Sequence, residues 1–217
     1  VISALKELDM PLKDIKAYLD KRSPKELISL LEEENKIIDE KINMLIRMKK
    51  VIEGKLSITK EVFNIDTDKI SIERCEEELL VLTECSNVTN ERSLAKAISN
   101  HVKYCDENEI YSPHSMGEMI NSDNIKKGKY DNYDYFYTRV YEENENIKLY
   151  KKEAGLYLIA YHNGGFYTID KCYERIIKFG QDNNLKFEGY FYEDVLLDEL
   201  SVAGYDGYLI KISISVK

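Results

Sequence analysis

The sequence predicts an α+β chain: a long coiled-coil helix followed by an antiparallel sheet domain made from a tandem strand–helix–strand–strand unit. Three observations carry that expectation. Apolar residues recur at heptad spacing from Ile28 to Leu56. Beyond about residue 77 the period changes to alternation, interrupted by two helical stretches. Aromatic residues are segregated, for of 17 Tyr and 6 Phe only Tyr18 precedes residue 61.

Residues 1–22 read as two short helices. "ISALKELDM" brings Ile2, Leu5 and Met10 near one face, and "PLKDIKAYLDKR" does the same for Leu12, Ile15, Tyr18 and Leu19 behind Pro11, a residue favoured in a first helical turn. Ser23 as cap, Pro24 at the first helical position and Glu26 at the third form a strong start signal. The helix that follows spans 23–63 and places Ile28, Asn35, Ile42, Lys49 and Leu56 at a positions, with Leu31, Ile38, Leu45 and Ile52 at d. A homodimer through this seam is expected, since about 50 Å of helix has no other evident use in a chain of this size. Asn35 and Lys49 in the seam would fix register at some cost in stability. A second stripe (Leu27, Leu30, Ile37, Met44, Met48, Val51) predicts that another side of the helix is buried as well.

The polar stretch 64–76 reads as a linker, and 77–217 as the sheet domain. There "EELLVLTEC" is a strand, "NERSLAKAISNHVKYCDE" a helix with Asn90 as candidate cap, and "NEIYSPHSMGEMI" and "NYDYFYTRVY" are strands. The order recurs in "AGLYLIAYHNG", "TIDKCYERIIKFGQDNN", "KFEGYFYEDVLLDEL" and "DGYLIKISISVK". Such a tandem unit builds one sheet about a pseudo-twofold axis, whose midline is a natural cleft.

Composition narrows the function classes. The chain is 43% hydrophobic and 33% charged, with a formal net charge of −9. The first 60 residues hold 13 Lys and Arg against 11 Asp and Glu, and the remainder 18 against 29. An acidic, Tyr-rich domain repels phosphate backbones and favours cations. Cys75, Cys85, Cys105 and Cys172 make no CxxC pair and no zinc-type spacing with histidine, so reduced thiols, no metal and no cofactor are expected. No apolar run is long enough to span a membrane and no signal peptide opens the chain, which makes the cytoplasm the expected location. His114 and His162 have no nucleophile–base spacing about them, and Gly164-Gly165 is a turn signal without a phosphate-loop context.

One stretch raises a sharper question. Along "GYFYEDVLLDEL", alternation puts Tyr190, Tyr192, Asp194, Leu196 and Asp198 on one face, which reads as mixed and wet. Phe191, Val195 and Leu197 share the other, apolar face, and Glu193 stands among them. A carboxylate on a dry face is costly unless something pairs with it. A bound cation would do so, helped by aromatic faces worth roughly 0.5–2 kcal/mol each. A tyrosine hydroxyl or Lys211 would do so as a purely structural partner.

The run "LKELDMPLKDIKAYLDKRSPKELISLLEEE" resembles the end of the winged-helix domain and the dimerisation helix of MerR-type transcriptional regulators. Residues 77–217 resemble the GyrI-like effector-binding domain of their BmrR-like, multidrug-responsive branch, through Tyr192-Glu193-x-x-Leu196-x-Asp198 and through Tyr208 ahead of "IKISISV". The resemblance implies that Glu193 anchors lipophilic cations and that Tyr208 lines the same pocket. It places Tyr111, Phe166 and Tyr167 where such pockets collect aromatics, while strand alternation makes Val195, on the Glu193 face, a further candidate ligand contact. It also implies antiparallel pairing of the long helices, whereas Asn35 at an a position suits a parallel pair. Family members open with a helix-turn-helix and wing, and this sequence starts beyond them, so 1–22 read as remnant helices and promoter DNA is a partner only if that domain is present. A metal-sensing branch is disfavoured, because residues 1–74 contain no cysteine. A small-molecule hydrolase and a ligand-sequestering interaction protein are the competing readings.

Overall fold

The computed structural model describes residues 2–7, 10–85, 88, 90–141 and 146–217. The chain divides into two compact units, residues 1–50 and 51–217.

In the first unit, α1 (Ile2–Glu7) and α2 (Leu12–Lys21) precede the start of α3 (Pro24–Val62). Leu5, Met10 and Ile15 form a small buried core, with Tyr18, Leu19 and Leu30 packed on it. Pro11 sits one residue ahead of α2 as its N-cap, and Pro24 is the first residue of α3, where a missing N–H costs nothing. Ser23 caps α3 by accepting the Glu26 amide at 3.2 Å. The helix is 39 residues long, and none of them is buried. The seam residues Ile28, Leu31, Ile38, Ile42, Leu45, Ile52 and Leu56 are all exposed in the single chain. Asn35, in the same seam, reaches only along its own helix, to Asp39 at 3.5 Å. The second stripe is not buried as expected: Leu27, Ile37, Met44 and Met48 are exposed too, and Leu30 alone has a packing partner in the small core.

The second unit holds one eight-stranded antiparallel sheet. Its strands are β1 (Ile70–Cys75), β2 (Glu78–Glu84), β3 (Gly117–Asn121), β4 (Tyr135–Val140), β5 (Leu149–Lys152), β6 (Gly155–Asn163), β7 (Phe187–Leu197) and β8 (Leu209–Val216). They lie in the order β1-β6-β8-β7-β3-β4-β2-β5. Helices α4 (Glu91–Glu107) and α6 (Asp170–Asp182) occupy equivalent places in the two repeats, and a short α5 (Ser122–Lys126) lies between β3 and β4.

The expected tandem is present, with one addition. Each repeat gains a leading strand, β1 or β5, and each leading strand is given to the other repeat: β1 pairs with β6 and β5 with β2. The stretch read as a linker therefore contains an edge strand. Central strands β3 and β7 pair with each other and carry the pseudo-twofold axis. Asn90 caps α4 as expected, accepting the Ser93 amide at 2.9 Å while Ser93 Oγ accepts the Asn90 amide at 3.1 Å.

The pleat sorts side chains onto two faces. Ile120, Leu158, Phe191, Ile210, Ile212 and Ile214 lie under α6, which contributes Cys172, Tyr173 and Ile176. Helix α4 covers the same face: its buried His101 bonds to Thr83 at 2.6 Å and Thr138 at 2.8 Å. The other face gathers Leu80, Met119, Tyr137, Tyr157, Ile159 and Tyr192. The last turns of α3 are tied to the end of β7 through Lys55, whose Nζ donates to Asp198 at 2.6 Å.

Candidate functional site

Glu193 lies in the middle of β7, opposite Glu118 of β3 on one side and Ile212 of β8 on the other. Directly paired residues point to the same face with Cβ atoms about 5 Å apart. Two carboxyl groups therefore face the same dry space, on the pseudo-twofold axis, beneath the two helices. Glu193 is 0% exposed and Glu118 7%.

The question of what pairs with Glu193 has a specific answer. The hydroxyl of Tyr173, from α6, donates to Glu193 Oε1. Tyr173 is held by Tyr130, stacked on it at 5.3 Å between centroids, and by the edge of Phe191 at 5.3 Å. Oε2 of Glu193 and Oε2 of Glu118 are both buried without a hydrogen-bond partner among the described residues. Lys211 takes no part. It stands opposite Asp194 on the reverse face.

The electrostatics follow. Burial pushes the Glu193 carboxyl up to about 8, against the relief given by the Tyr173 hydroxyl and with the charge of Asp194 adding to it. Glu118 is raised well above the usual carboxylate range by burial first, then by Glu193 and Asp194. Tyr133, at the entry to β4, is raised by burial and by both glutamates, so its hydroxyl feels the same negative potential. Its ring also packs near Phe136, which is paired with Glu118 across β3 and β4. The arrangement is a buried acid pair whose surroundings include the rings of Phe136, Tyr173 and Phe191 together with Ile212, and it holds no counter-charge among the described residues.

The reverse face corrects one expectation. Tyr192, Asp194 and Asp198 are buried, so the face read as wet is dry. It is neutralised from within. Arg139 Nη2 meets Asp194 at 2.7 Å, and Tyr137 donates to Asp194 and lies 3.2 Å from the Glu193 carbonyl oxygen. Glu78 bridges Arg139 at 3.0 Å and Lys152 at 2.7 Å, and Lys152 lies over the rings of Tyr157 and Tyr192. Burial works against ionisation of Asp194, but Arg139, Lys152 and Lys211 outweigh it and hold the group well below the usual carboxylate range.

The sequence-derived site residues are distributed unevenly. Val195 shares the Glu193 face and is paired with Ile210, and these two the structure brings together. Tyr208 is not beside Glu193. The β7–β8 connection sets Leu209 opposite Leu197, so Ile212 faces the glutamate and Tyr208 lies four residues away, about 13 Å along the strand. Its hydroxyl donates to Glu199 at 2.5 Å. Phe166 packs edge-on to Tyr208 at 6.4 Å. It follows Gly165, whose φ of 65° bears out the turn reading of that dipeptide. Tyr167 is 85% exposed, and Tyr111 is 52% exposed in the irregular chain before β3 rather than on a strand. Of the three tyrosines in "NYDYFYTRVY" before its last, Tyr135 and Tyr137 pack on the reverse face, while Tyr133 packs against the core under α6 and feels the charge of both glutamates.

Sequence reasoning missed Glu118, Tyr130 and Tyr173. A signal existed for Tyr173: Ile169, Cys172, Tyr173, Ile176 and Gly180 are buried at helical spacing, so this tyrosine sits in the middle of an apolar helix face. The histidines serve elsewhere. His101 is held neutral by burial, at about 4, and His114 accepts from Arg139 at 3.1 Å. Among the described residues no cluster of His, Cys, Asp or Glu could hold a metal ion, and no helix is long and apolar enough to cross a membrane.

No family model matches the sequence. The multidrug-efflux transporter 2 regulator of Bacillus subtilis (strain 168) is 32% identical over 217 residues, which are 100% of this chain and 79% of that protein. Among solved structures, the cryo-EM structure of an EcmrR–DNA complex in EcmrR-RPo is similar over 100% of this chain and 81% of its own, at 16% identity and a TM-score of 0.53. The crystal structure of the EcmrR C-terminal domain is similar over 69% of this chain and 97% of its own, at 12% identity and a TM-score of 0.49.

Proposed function

This chain belongs to the family of the multidrug-efflux transporter 2 regulator, MerR-type regulators with a GyrI-like effector-binding domain, and from that premise we propose that it captures a lipophilic cation at Glu193 and Glu118, between α4 and α6. The single observation that carries this reading is the fully buried Glu193 carboxyl, whose second oxygen has no partner among the described residues and whose apolar surroundings include the rings of Tyr173 and Phe191.

Such a site is costly in the ligand-free protein and is relieved by a positive guest. Attraction between unit charges at about 4 Å is worth on the order of 4 kcal/mol at an effective dielectric near 20. Ring faces add roughly 0.5–2 kcal/mol each. Because Glu193 is closed off, entry requires the stacked Tyr130 and Tyr173 rings, or Tyr133, to give way, and that displacement supplies the two-state element through which capture reports to the regulator. The apolar stripe of α3, exposed along its whole length in one chain, is covered by the same stripe of a second copy. Where the DNA-binding domain is present, promoter DNA is the partner on which capture is read out.

The test is binding of tetraphenylphosphonium or a rhodamine-type dye to the wild-type chain and to Glu193→Gln, with the recovered ligand analysed by mass spectrometry. Saturable micromolar binding of an unaltered ligand, weakened at least about tenfold in the variant, is expected. Equal affinity in the two proteins removes Glu193 as anchor, and a hydrolysed ligand turns the site into that of an enzyme.

A further inference from the structure

The acid pair has a consequence for how a guest is taken up. Glu118 and Glu193 are cross-strand partners on the two central strands, both buried, each with an unpartnered Oε2. The groups paired with them are neutral or acidic, and Arg175 of α6, whose charge is felt at Cys172, donates instead to the Thr67 and Asp68 carbonyl oxygens. Helix α6 contributes the Tyr173 hydroxyl and the Cys172 thiol, the latter itself pushed up to about 11 by burial and also raised by Glu193. The β3–β4 segment contributes Tyr133, and the end of β2 contributes Cys85, which feels Glu118 and Asp134. From α4 comes His101, occupied by its two threonines and neutral. Behind the sheet stands the ionised Asp194, whose attendant cations Arg139, Lys152 and Lys211 are engaged on that reverse face. No ammonium or guanidinium is bonded to either glutamate among the described residues.

Two carboxylates at this spacing in a dry, ring-lined space cannot both ionise without a cation to offset them. We propose that Glu118 and Glu193 together retain a proton in the ligand-free protein and surrender it to solvent when a lipophilic cation enters, so that effector capture and proton release are one event. This rests on the cation-binding reading above and extends it. The balance is simple: the guest cation binds, one O–H bond of the pair is broken, a carboxylate remains beside the guest, and the proton passes to buffer. Glu118 is then a working part of the anchor, setting the pH at which the site becomes competent. Capture strengthens as pH rises, by up to about tenfold per unit while the pair is protonated, and levels off once it is ionised.

Tetraphenylphosphonium is the suitable probe, being a permanent cation with no proton of its own. Calorimetric titration in two buffers of different ionisation enthalpy, near pH 7, counts the protons exchanged. Release of about half to one proton per cation is expected, together with an affinity plateau that moves to lower pH in Glu118→Gln, where the neighbouring charge is gone. Carboxyl carbon NMR of the ligand-free protein supplies an arm independent of any ligand, in which at least one of the two side chains remains protonated at pH 7. Tight binding without proton release, or an unmoved pH profile in Glu118→Gln, overturns the coupling while leaving the cation site standing. Both carboxyls ionised in the free protein at pH 7 overturns it whatever binds. Failure of any cation to bind removes the site reading and the coupling with it.

Discussion

Glu193 and Asp194 are neighbours in the chain and opposites in ionisation. The pleat sends Glu193 under α6, where its partner is one tyrosine hydroxyl, and Asp194 to the reverse face, where Arg139 meets it at 2.7 Å. Burial opposes the charged form of both. Only Asp194 has a cation to overcome that opposition, so one carboxyl is pushed up to about 8 and the other is held well below its ordinary range. Environments that drive adjacent acids apart separate their roles: Asp194 joins β7 to β4 through Arg139, and Glu193 is left without a counter-charge.

Stability against pH exposes the first of these tasks being refused. The folded protein binds the Glu193 proton more tightly than the unfolded chain, whose carboxyl titrates near 4.5, so this group costs stability progressively as pH rises from about 4.5 through about 8. Glu193→Gln keeps the shape and removes the titration. Without ligand, the variant is expected to match wild type near pH 4 and to exceed it by at most about 5 kcal/mol above pH 8. Urea unfolding at both ends of that range checks this. A difference between the two proteins that does not change with pH would mean Glu193 ionises without penalty.

Asp194 behaves in the reverse sense. Its folded value lies below its unfolded one near 3.8, so its contribution is present at neutral pH and is lost progressively as pH falls below 3.8 towards the depressed folded value. Removing its counter-charge is the direct test. Arg139→Met strands Asp194 and breaks the link to Glu78, and is expected to cost about 3–5 kcal/mol in chemical denaturation at pH 7. A loss below about 1 kcal/mol would show that the buried network has another source of neutralisation.

What the sequence made legible was local. The Ser23 and Asn90 caps, the heptad-spaced helix α3 and the alternation from Phe191 to Val195 are each written within a few residues and each stands in the structure, while beyond Val195 a bulge pairs Leu197 with Leu209 and breaks the alternation. What it hid was set by pairing between distant segments. Glu118 and Glu193 meet because β3 and β7 are adjacent in the sheet, a register that neither strand encodes alone. Strands β1 and β5 escaped notice because each is a short edge strand whose partner belongs to the other repeat. The resemblance set Tyr208 in one pocket with Glu193, whereas the β7–β8 register puts Ile212 opposite the glutamate and leaves Tyr208 four residues away. Asp194 looked wet because nothing near it in sequence announces Arg139 or Lys152.

Gly117 tests how closely the two faces are joined. A Cβ there would collide with the Tyr137 ring and come within 2.7 Å of the Glu193 carbonyl oxygen. Neither neighbour can yield easily, since Tyr137 is fully buried with its hydroxyl on Asp194, and the carbonyl is in the centre of the sheet. Gly117→Ala is therefore expected to lose roughly 1–3 kcal/mol by overpacking and to weaken cation binding by displacing the β7 backbone under Glu193. Thermal unfolding and dye titration of the same preparation give both readouts. Full stability with unchanged affinity would show that Tyr137 moves freely and does not fix the anchor from behind.

The stripe on α3 makes the last prediction. Ile42 and Leu45 are 47% and 59% exposed in the middle of a 39-residue helix that buries nothing of its own. Full burial of such side chains is worth about 1.5–3 kcal/mol each, and a two-chain coil buries every copy twice over its length. Replacing Ile42 or Leu45 by Glu puts two carboxylates into the seam of a dimer, one from each chain, while a surface residue of a monomer would tolerate the change. Sedimentation equilibrium at micromolar concentration is expected to give a dimer for the wild-type chain and a monomer for either variant, with the cation site of residues 118 and 193 still able to bind. A wild-type chain that sediments as a monomer at high concentration would leave the stripe without a second copy to cover it.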